Sequence, residues 1–572
     1  MRRSRWKKPA LAATACALAL SGVPGVAAAE ADPFAGYQNQ RVDWTSCPYK
    51  LTDGAKAAQC AVITVPRDWT APSSGHDLKV SINRVAATGE HKGMIFVNPG
   101  GPGGQGTGFA SELAGLEPAL NQQYDIVGMD PRGTGQEGAK DPALQPVACQ
   151  VPSSRLPQGN DLDARDRSAK SIAEHQKAPR AVAEACQSDA LAPYLTTWQT
   201  AHDMELIRRL LGEPKLNYLG YSYGTWLGAK YTSLFPDQAG KVVLDSSVNW
   251  QGRLQADFED FPVIDQGQFE KMFLPWLVRQ YPALVGKTLP EAKATYEKVR
   301  RYYAANGTAP DNFDQVFVGM GSKIRWLLGG LVFLVGASKE SGIPLPTAVS
   351  PEVTAALDAQ ARGTAGVAAS KLTPQQAVVA ATSDYTPKGE TRYAVACGDQ
   401  PTRSAAWYRS LSDRQGPEYP LFGWAYGLSE PCAFWSDAPT HTLPDLPARV
   451  AGNVLVVQGE FDPQTGYDQA KAAVQAAPGV SLVSVDDSGF HGQYAISGNP
   501  CVDGMVNVFL LNNSRPGNAT CPGVPIIGED KVYPVPGPVD GQAHTAPYGV
   551  ATLVGSLLRD LTQDFMSHTN KR

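Results

Sequence analysis

The 572-residue chain lacks several patterns that would fix its class at once. It has no Cys-x-x-Cys pair and no His-Glu-x-x-His segment, so the usual zinc spacings are missing, and no metal or other cofactor is expected. Beyond the first residues no apolar run reaches the roughly 18 residues of a membrane span. The nearest, residues 326–335, contains two glycines, and we find no internal repeat. A zinc-dependent enzyme and an integral membrane protein are therefore not expected.

A strongly basic surface is also missing. Residues 1–29 predict a secretory signal peptide, because five basic residues precede an apolar run and three alanines end the segment. Removing it takes away five basic and no acidic residues, which moves the formal charge from −5 to −10. Cys16 has no leucine three residues before it, so no lipid anchor is expected. A mildly acidic secreted protein is not expected to bind nucleic acid or an anionic membrane.

Eight cysteines remain beyond the signal peptide, an even number in an oxidising compartment. Many pairings are possible, but the cysteines fall into four neighbouring couples, and short loops close at the least entropic cost. We therefore predict four local disulfides. They join Cys47 to Cys60, Cys149 to Cys186, Cys397 to Cys432 and Cys501 to Cys521.

Strands and helices alternate in two separate stretches of the chain. Short apolar runs predict strands at residues 60–65, 78–82, 93–97, 124–129, 241–244, 453–457 and 481–485, and just before Gly220. Helices are predicted among these strands at 109–120, 168–186, 200–212, 225–235, 467–476, 502–511 and 548–565. The stretch between the strands at 241–244 and 453–457 has no predicted strand, and its helices are predicted at 269–281, 289–304, 324–335, 351–362 and 374–382. We expect an α/β fold with a core at 30–248 and 439–572 and a mostly helical lid at 249–438, inserted after a central strand.

One stretch carries a nucleophile pattern. Gly220-Tyr221-Ser222-Tyr223-Gly224 follows a short apolar strand and precedes a helical run, which is typical of a nucleophile elbow. A Cβ at Gly220 or Gly224 would collide with so tight a turn. The pattern alone also fits a glycine-flanked serine in an ordinary turn, so the assignment depends on finding partner residues.

A serine nucleophile needs a base, and the base needs an acid that orients it. Asp462 and His491 each follow one of the last two core strands, in the chain order Ser, Asp, His that α/β hydrolases show. Asp245 also ends a strand after Ser222 and is the alternative acid. The neighbouring acidic residues are interpreted as loop residues outside the catalytic set: Glu460, Asp486 and Asp487.

The glycine loop Asn-Pro-Gly-Gly-Pro-Gly-Gly, at 98–104, follows an early strand. It lacks Gly-Lys-Ser/Thr and the Gly-x-Gly-x-x-Gly spacing, which disfavours a phosphate cradle. In an α/β hydrolase such a loop donates one backbone N–H to the oxyanion, and the residue after the nucleophile, here Tyr223, donates the other.

Five motifs together resemble the secreted tripeptidyl aminopeptidases of actinomycetes, serine exopeptidases of the prolyl-aminopeptidase-like α/β hydrolases. They are the glycine loop, Asp-Pro-Arg-Gly-Thr-Gly, Gly-Tyr-Ser-Tyr-Gly-Thr, Gly-Glu-Phe-Asp-Pro and Gly-Phe-His-Gly. The resemblance spans nearly the whole mature chain. It implies Ser222, Asp462 and His491 as the triad, with Gly101 and Tyr223 as the oxyanion residues. Related prolyl aminopeptidases have His where Pro99 stands, so that histidine's role cannot be carried over.

Two catalytic functions and one non-catalytic function fit these residues. The first is a secreted, monomeric serine aminopeptidase that takes peptide or protein N-termini as substrate and releases tripeptides; a covering lid favours it. The second is an ester hydrolase with the same triad, and the third is a hydrolase-like binding protein, disfavoured because every triad member is present. An aminopeptidase must neutralise the substrate ammonium with a carboxylate. The lid candidates are Glu259, Asp260, Glu270 and Asp399.

Overall fold

The computed structural model describes residues 32–51, 54–72, 76–136, 139–147, 149–157, 161–345, 390–512, 514–539 and 559. One ten-stranded sheet runs through this part of the chain, in the strand order β1-β2-β3-β5-β4-β6-β7-β8-β9-β10. Its strands are β1 (Thr45–Ser46), β2 (Gln59–Pro66), β3 (Asp77–Val85), β4 (Met94–Asn98), β5 (Asp125–Asp130), β6 (Leu216–Ser222), β7 (Ala239–Ser247), β8 (Val454–Gly459), β9 (Ser481–Asp486) and β10 (Ala519–Pro522).

Strands β4 to β10 run parallel to one another. At one edge of the sheet, β1 pairs antiparallel with β2, β2 with β3, and β3 with β5. Eight of the ten strands lie where apolar runs predict them. The sequence analysis did not predict β1, which has two residues, or β10, which has four and includes a proline. Both are edge strands, and a short edge strand carries little apolar signal.

The central strands are apolar on both faces because helices cover both faces of the sheet. Ile95 and Val97 of β4 point into one apolar cluster, and Met94 and Phe96 point into the other. All four side chains are at most 1% exposed. An uninterrupted apolar run is thus the signature of a strand in the middle of this sheet, and the residues after it stand at the sheet's carboxyl edge.

The helices surround this sheet. Those of the α/β core are Ala35–Gln38, Gly106–Leu116, Pro118–Asn121, Ala169–His175, Lys177–Gln187, Thr197–Leu210, Tyr223–Leu234, Ala448–Ala451, Tyr467–Ala476 and Pro500–Asn512. Short 3₁₀ turns lie at Pro142–Leu144, Ser153–Arg155, Ala192–Tyr194 and Pro431–Phe434. The stretch predicted as one helix at 168–186 is two helices that meet at Gln176, which caps both.

Between β7 and β8 the described chain is helical. The helices of residues 254–341, here called the first helical part, are Leu254–Glu259, Phe261–Gln268, Leu274–Gln280, Pro282–Val285, Leu289–Ala305, Pro310–Gln315 and Lys323–Ser341. Those of residues 390–435, the second helical part, are Glu390–Gly398, Ala405–Gln415 and Gly423–Ser429. A π-helical turn, Phe269–Phe273, joins two helices where one is predicted at 269–281.

Some predictions fall outside the described residues. These are the signal peptide at 1–29 and the helices at 351–362, 374–382 and 548–565. Within the described ranges, no helix combines the length and apolar character needed to cross a membrane.

Four disulfides join the four pairs that neighbouring positions predict: Cys47–Cys60, Cys149–Cys186, Cys397–Cys432 and Cys501–Cys521. Their Cα–Cα distances run from 4.6 to 5.8 Å, within the usual range for disulfides. The third fixes the helix Glu390–Gly398 to the turn Pro431–Phe434. The fourth fixes Pro500–Asn512 to β10, which adds a covalent tie to a strand of only four residues.

Candidate active site

Ser222 ends β6, and the helix Tyr223–Leu234 begins at the next residue. Its φ of 58° lies in the left-handed region, which residues other than glycine seldom adopt. The turn is held from beneath by Thr225, whose hydroxyl donates to the Ser222 carbonyl at 2.6 Å and accepts from Val248 N–H at 3.1 Å. Ser222 itself is 3% exposed. This is the strained strand-to-helix turn of a nucleophile elbow.

The two glycines of the elbow are required by close backbone contacts, as the sequence predicts. A Cβ on Gly220 would stand 2.5 Å from the Gly224 carbonyl oxygen. A Cβ on Gly224 would stand 2.8 Å from the carbonyl oxygen of Asn98, at the start of the glycine loop. Neither distance leaves room for a methyl group, so both positions exclude alanine.

The glycine loop lies directly against the elbow. A Cβ on Gly100 would stand 2.9 Å from Ser222 Cβ and 3.2 Å from Tyr223 N, and Gly100 has a φ of 102°. Gly101 also has a positive φ, 115°. The loop backbone and Tyr223 N thus lie on the same side of the nucleophile turn, where an oxyanion's donors need to be.

His491 and Asp462 are hydrogen-bonded to each other. Nδ1 of His491 lies 2.9 Å from each carboxylate oxygen of Asp462, and both residues are at most 1% exposed. Asp462 Oδ1 also accepts the N–H groups of Gln464 and Thr465, at 2.8 and 3.0 Å, which fixes the carboxylate in place. The pair has the geometry of a base and the acid that orients it.

Asp245, the alternative acid at the end of β7, has a different partner. Its two oxygens accept the backbone N–H groups of Gln493 and Tyr494, at 3.0 and 2.7 Å, in the loop that follows His491. Burial raises the pKa of Asp245 to about 7, against the lowering effect of these hydrogen bonds. The contacts of Asp245 are those of a residue that shapes the loop after the histidine.

The first helical part contacts the loops of both Asp462 and His491. The backbone N–H of His491 donates to the Gly321 carbonyl at 2.8 Å. Gln268 donates to the Gly489 carbonyl at 3.0 Å and to the Met320 carbonyl at 2.8 Å. Phe461 and Phe490, which precede Asp462 and His491, belong to the apolar cluster of this helical part. The helices of the first helical part therefore pack against the two loops and are hydrogen-bonded to them.

Two of the four lid carboxylates are already committed to other groups. Asp399 is 5% exposed and accepts hydrogen bonds from Thr197 N–H at 2.8 Å and Trp226 Nε1 at 3.1 Å. Glu270 forms an ion pair with Lys293 at 2.5 Å within the first helical part. These contacts occupy two of the four candidate partners for the substrate ammonium.

The other two, Glu259 and Asp260, are less constrained. Oε1 of Glu259 is buried without a hydrogen-bond partner among the described residues, and Arg403 Nε is 3.9 Å away. Burial raises the pKa of Glu259, and the nearby carboxylates Asp260 and Glu430 raise it further. The positive charges of Arg253 and Arg403 lower it, but by less. Asp260 lies at the surface, and partial burial of its carboxyl group raises the pKa of that group, against a hydrogen bond from Gln469 at 3.4 Å.

A cavity of about 560 Å³ lies between the helical parts and the helices of residues 161–187. Glu430 forms part of its wall; its Oε1 accepts Cys432 N–H at 3.2 Å, and burial raises the pKa of its carboxyl group. Arg392 lines the cavity too. The residue before it, Thr391, packs against the glycine loop, 3.3 Å from where a Cβ of Gly103 would stand. The cavity wall therefore begins one residue after a contact with the glycine loop.

Comparison with known proteins identifies the family. Residues 93–320 match the model of the alpha/beta hydrolase fold, and residues 419–521 match that of the TAP-like proteins. A tripeptidyl aminopeptidase of Streptomyces lividans is 30% identical over 504 residues, which cover 82% of this chain and 84% of the relative. The chain belongs to the tripeptidyl aminopeptidase-like family of α/β hydrolases. This confirms the resemblance and the fold expected from the sequence.

Other relatives of this tripeptidyl aminopeptidase-like hydrolase carry two kinds of name. Serine protease Hip1 of Mycobacterium tuberculosis is 27% identical and covers 88% of this chain and 95% of its own length. A protein of the same species named Carboxylesterase B is also 27% identical, covering 86% and 93%. The relative at 30% identity and one of those at 27% carry peptidase names, and the chain is a hydrolase of the serine peptidase type.

Sequence reasoning missed the residues that hold the tripeptidyl aminopeptidase-like site from the helical side. Gln268, Gly321 and Glu430 belong to no motif. Gln268 and Gly321 act through contacts with a distant part of the chain, and Glu430 lines the cavity. The one available signal was the position of Glu430 two residues before Cys432, since a disulfide fixes that turn.

Proposed function

We propose that the protein is a secreted serine exopeptidase that releases short peptides, with tripeptides as the main product, from free N-termini. The proposal is supported by the buried, hydrogen-bonded His491–Asp462 pair and by the Ser222 elbow, which occur together in a chain of this family. Four disulfides and a predicted signal peptide support secretion.

In the proposed reaction Ser222 Oγ attacks the scissile carbonyl carbon while His491 takes the hydroxyl proton. Asp462 holds the imidazole in the tautomer with its proton on Nδ1 and stabilises the imidazolium that forms. The tetrahedral oxyanion accepts hydrogen bonds from Tyr223 N–H and from the glycine loop at Gly101. His491 then gives its proton to the leaving amine as the C–N bond breaks, and water hydrolyses the acyl-enzyme by the same steps.

The cavity beside the glycine loop is the proposed place for the peptide that is released. Its volume of about 560 Å³ suits a short peptide, and its wall is formed by buried helices. A substrate ammonium entering such a site needs a carboxylate partner. Glu259, with one oxygen lacking a donor, and Glu430, in the cavity wall, are the proposed partners.

The decisive experiment compares one tripeptide chromogenic amide with a free N-terminus, its N-acetylated form and a small acyl ester, all with the purified mature protein. The proposal expects rapid release from the free peptide and at least about a hundredfold lower kcat/KM for the acetylated one, since losing a buried charge pair costs several kcal/mol. Equal rates on the two peptides would exclude an aminopeptidase. Turnover of the ester alone would favour the function that the carboxylesterase name suggests.

Two variants locate the ammonium site. Glu259→Gln and Glu430→Gln should raise KM for the free peptide and leave ester hydrolysis unchanged, because only the peptide carries the cation. Glu418→Gln, at an exposed position of the second helical part, is the matched control. If neither variant changes KM, another carboxylate binds the substrate N-terminus.

A further inference from the structure

Three carboxylates gather where β8 and β9 end, away from the contacts of the His491–Asp462 pair. One oxygen each from Glu460, Asp486 and Asp487 lies within 4.8 Å of the others. Glu460 is 4% exposed and Asp486 is 5% exposed. Among the described residues neither forms an ion pair with a lysine, arginine or histidine. So concentrated a buried negative charge is unfavourable unless something neutralises it.

A second observation shows that this cluster is incomplete. Asp486 Oδ1 is buried and has no hydrogen-bond donor among the described residues. A buried carboxylate oxygen normally accepts at least one hydrogen bond or binds a metal ion. The neighbouring oxygens are better supplied: Glu460 Oε1 accepts Val539 N–H and Oε2 accepts Asp487 N–H, both at 3.0 Å. The carboxyl group with the unsatisfied oxygen thus belongs to a cluster whose two other carboxylates accept backbone hydrogen bonds.

We propose that Glu460, Asp486 and Asp487 bind one divalent cation of the Ca²⁺ type. Hard cations of this class take carboxylate oxygens at about 2.3–2.6 Å, so oxygens on opposite sides of one ion lie up to about 5 Å apart. The observed spacing fits that limit. The three side chains supply charge and fixed oxygens, and backbone carbonyls or water would complete the usual six to eight ligands.

The cation would link three segments of the chain. Glu460 comes two residues before Asp462 on the loop after β8, and Asp486 and Asp487 lead into the loop of His491. The segment 535–539, here called the strap, is attached by Val535 N–H to Asp487 Oδ1 at 2.6 Å as well as by the bond to Glu460. A cation at this point would clamp both loops and the strap together without touching the substrate.

A shared proton is the competing explanation. Burial, together with the carboxyl group of Asp486, raises the pKa of Glu460 to about 7. Without a cation, one proton between the two carboxyl groups would relieve their repulsion near neutral pH. The two explanations differ in what stabilises the protein: added Ca²⁺ in the first, and lower pH in the second.

The test uses the full mature chain, with CaCl₂ and TbCl₃ as probes. We expect tryptophan-sensitised Tb³⁺ luminescence that saturates at one ion per chain and that Ca²⁺ displaces. We also expect a melting temperature a few degrees higher in about 5 mM Ca²⁺ than in EGTA, for a Kd on the order of 10⁻⁴–10⁻³ M. Glu460→Gln and Asp486→Asn should abolish the shift, and Glu340→Gln, at an exposed position, should retain it.

The two buried variants can fail to fold. Asp487→Asn then serves, because Asp487 is partly exposed and its φ of 54° suits asparagine; it should weaken Ca²⁺ binding at least about tenfold. Absence of Tb³⁺ luminescence and an equal melting temperature in Ca²⁺ and EGTA would overturn the proposal. So would a melting temperature that ignores Ca²⁺ and whose dependence on pH through about 7 in EGTA is shallower in Glu460→Gln, which would indicate the shared proton.

Discussion

The two helical parts between β7 and β8 contact different sides of the candidate site. The first, residues 254–341, hydrogen-bonds to the loops of Asp462 and His491 through Gly321 and Gln268. The second, residues 390–435, packs its Thr391 against the glycine loop and supplies part of the cavity wall. Both are parts of what the sequence predicts as one lid. Both parts line the cavity, and they differ in that the first also hydrogen-bonds to the loops of Asp462 and His491.

The two parts therefore differ in whether they could move as a lid without disturbing the candidate site. Trp326 of the first part and Phe490 beside His491 have ring centroids 5.6 Å apart, within one apolar cluster. Moving the first part would therefore disturb the base and the acid. The second part is attached to the nucleophile side by Asp399, which accepts from Trp226 in the helix after Ser222. Changes at the first part's contacts with the two loops should lower kcat, and changes in the second part should raise KM for peptides.

The largest effect is expected at the acid that the first part supports. Asp462→Asn should lower kcat by about 10⁴, because the amide favours the wrong tautomer of His491. Asp245→Asn, at the end of the neighbouring strand, should cost less than about tenfold, because Asp245 bonds to backbone and not to the base. Both are measured as kcat on the free tripeptide amide with folded protein. A greater loss from the Asp245 change would mean that the acid is misassigned.

A smaller effect separates the two helical parts directly. Gln268→Ala removes donors to Met320 and Gly489 and should lower kcat by about 10–100-fold, since leaving buried carbonyls unsatisfied costs about 1–3 kcal/mol each. Gln415→Ala is the matched change in the second part, where Gln415 donates to the Glu259 carbonyl at 2.8 Å. It should raise KM for the peptide and leave kcat within about threefold. The same kinetic change in both variants would remove the distinction between the parts.

The smallest effect concerns pH and stability, measured in EGTA. Burial raises the pKa of Asp245 and Asp503 to about 7, and that of Asp399 to about 6. Raised carboxyl pKa values stabilise the fold below the unfolded-state pKa, and this stability is lost as pH rises through the folded-state values. The melting temperature should therefore fall by a few degrees between about pH 5 and pH 8.

Asp503→Asn checks the origin of that slope. Asp503 accepts Ala495 N–H at 2.7 Å, far along the chain from the helical parts, and asparagine can still accept this bond. The variant should show a shallower dependence of melting temperature on pH, because it loses one group that titrates in this range. A slope unchanged from the parent would assign the pH dependence to other groups.

The sheet could be predicted from the sequence because burial on both faces leaves a continuous apolar run in strands such as β4, β8 and β9. The residues after those runs, Asp462 and His491, follow from the same signal. β10 could not be predicted, although its disulfide at Cys521 was: the strand has four residues and depends on a parallel pairing with β9, which has no local pattern.

The roles of individual carboxylates were harder to predict. Sequence position makes Asp399 and Glu259 equal candidates for binding the substrate ammonium, yet only the fold brings Trp226 and Thr197 to the first and leaves an oxygen of the second without a donor. Three acidic residues interpreted from the sequence as loop residues outside the catalytic set lie close together, because β8 and β9 are neighbours. They are Glu460, Asp486 and Asp487. Such convergence depends on packing between residues far apart in the chain.

The central claim is that Ser222 is a nucleophile activated by His491, and covalent labelling tests it most directly. A fluorophosphonate is allowed to react with the mature protein, and the modified residue is located by peptide mass spectrometry. We expect one label per chain, on Ser222, and at least about 10³-fold slower labelling in His491→Ala, since the base activates the serine hydroxyl. A label on another residue, or equal labelling rates in the parent and the His491 variant, would contradict the account.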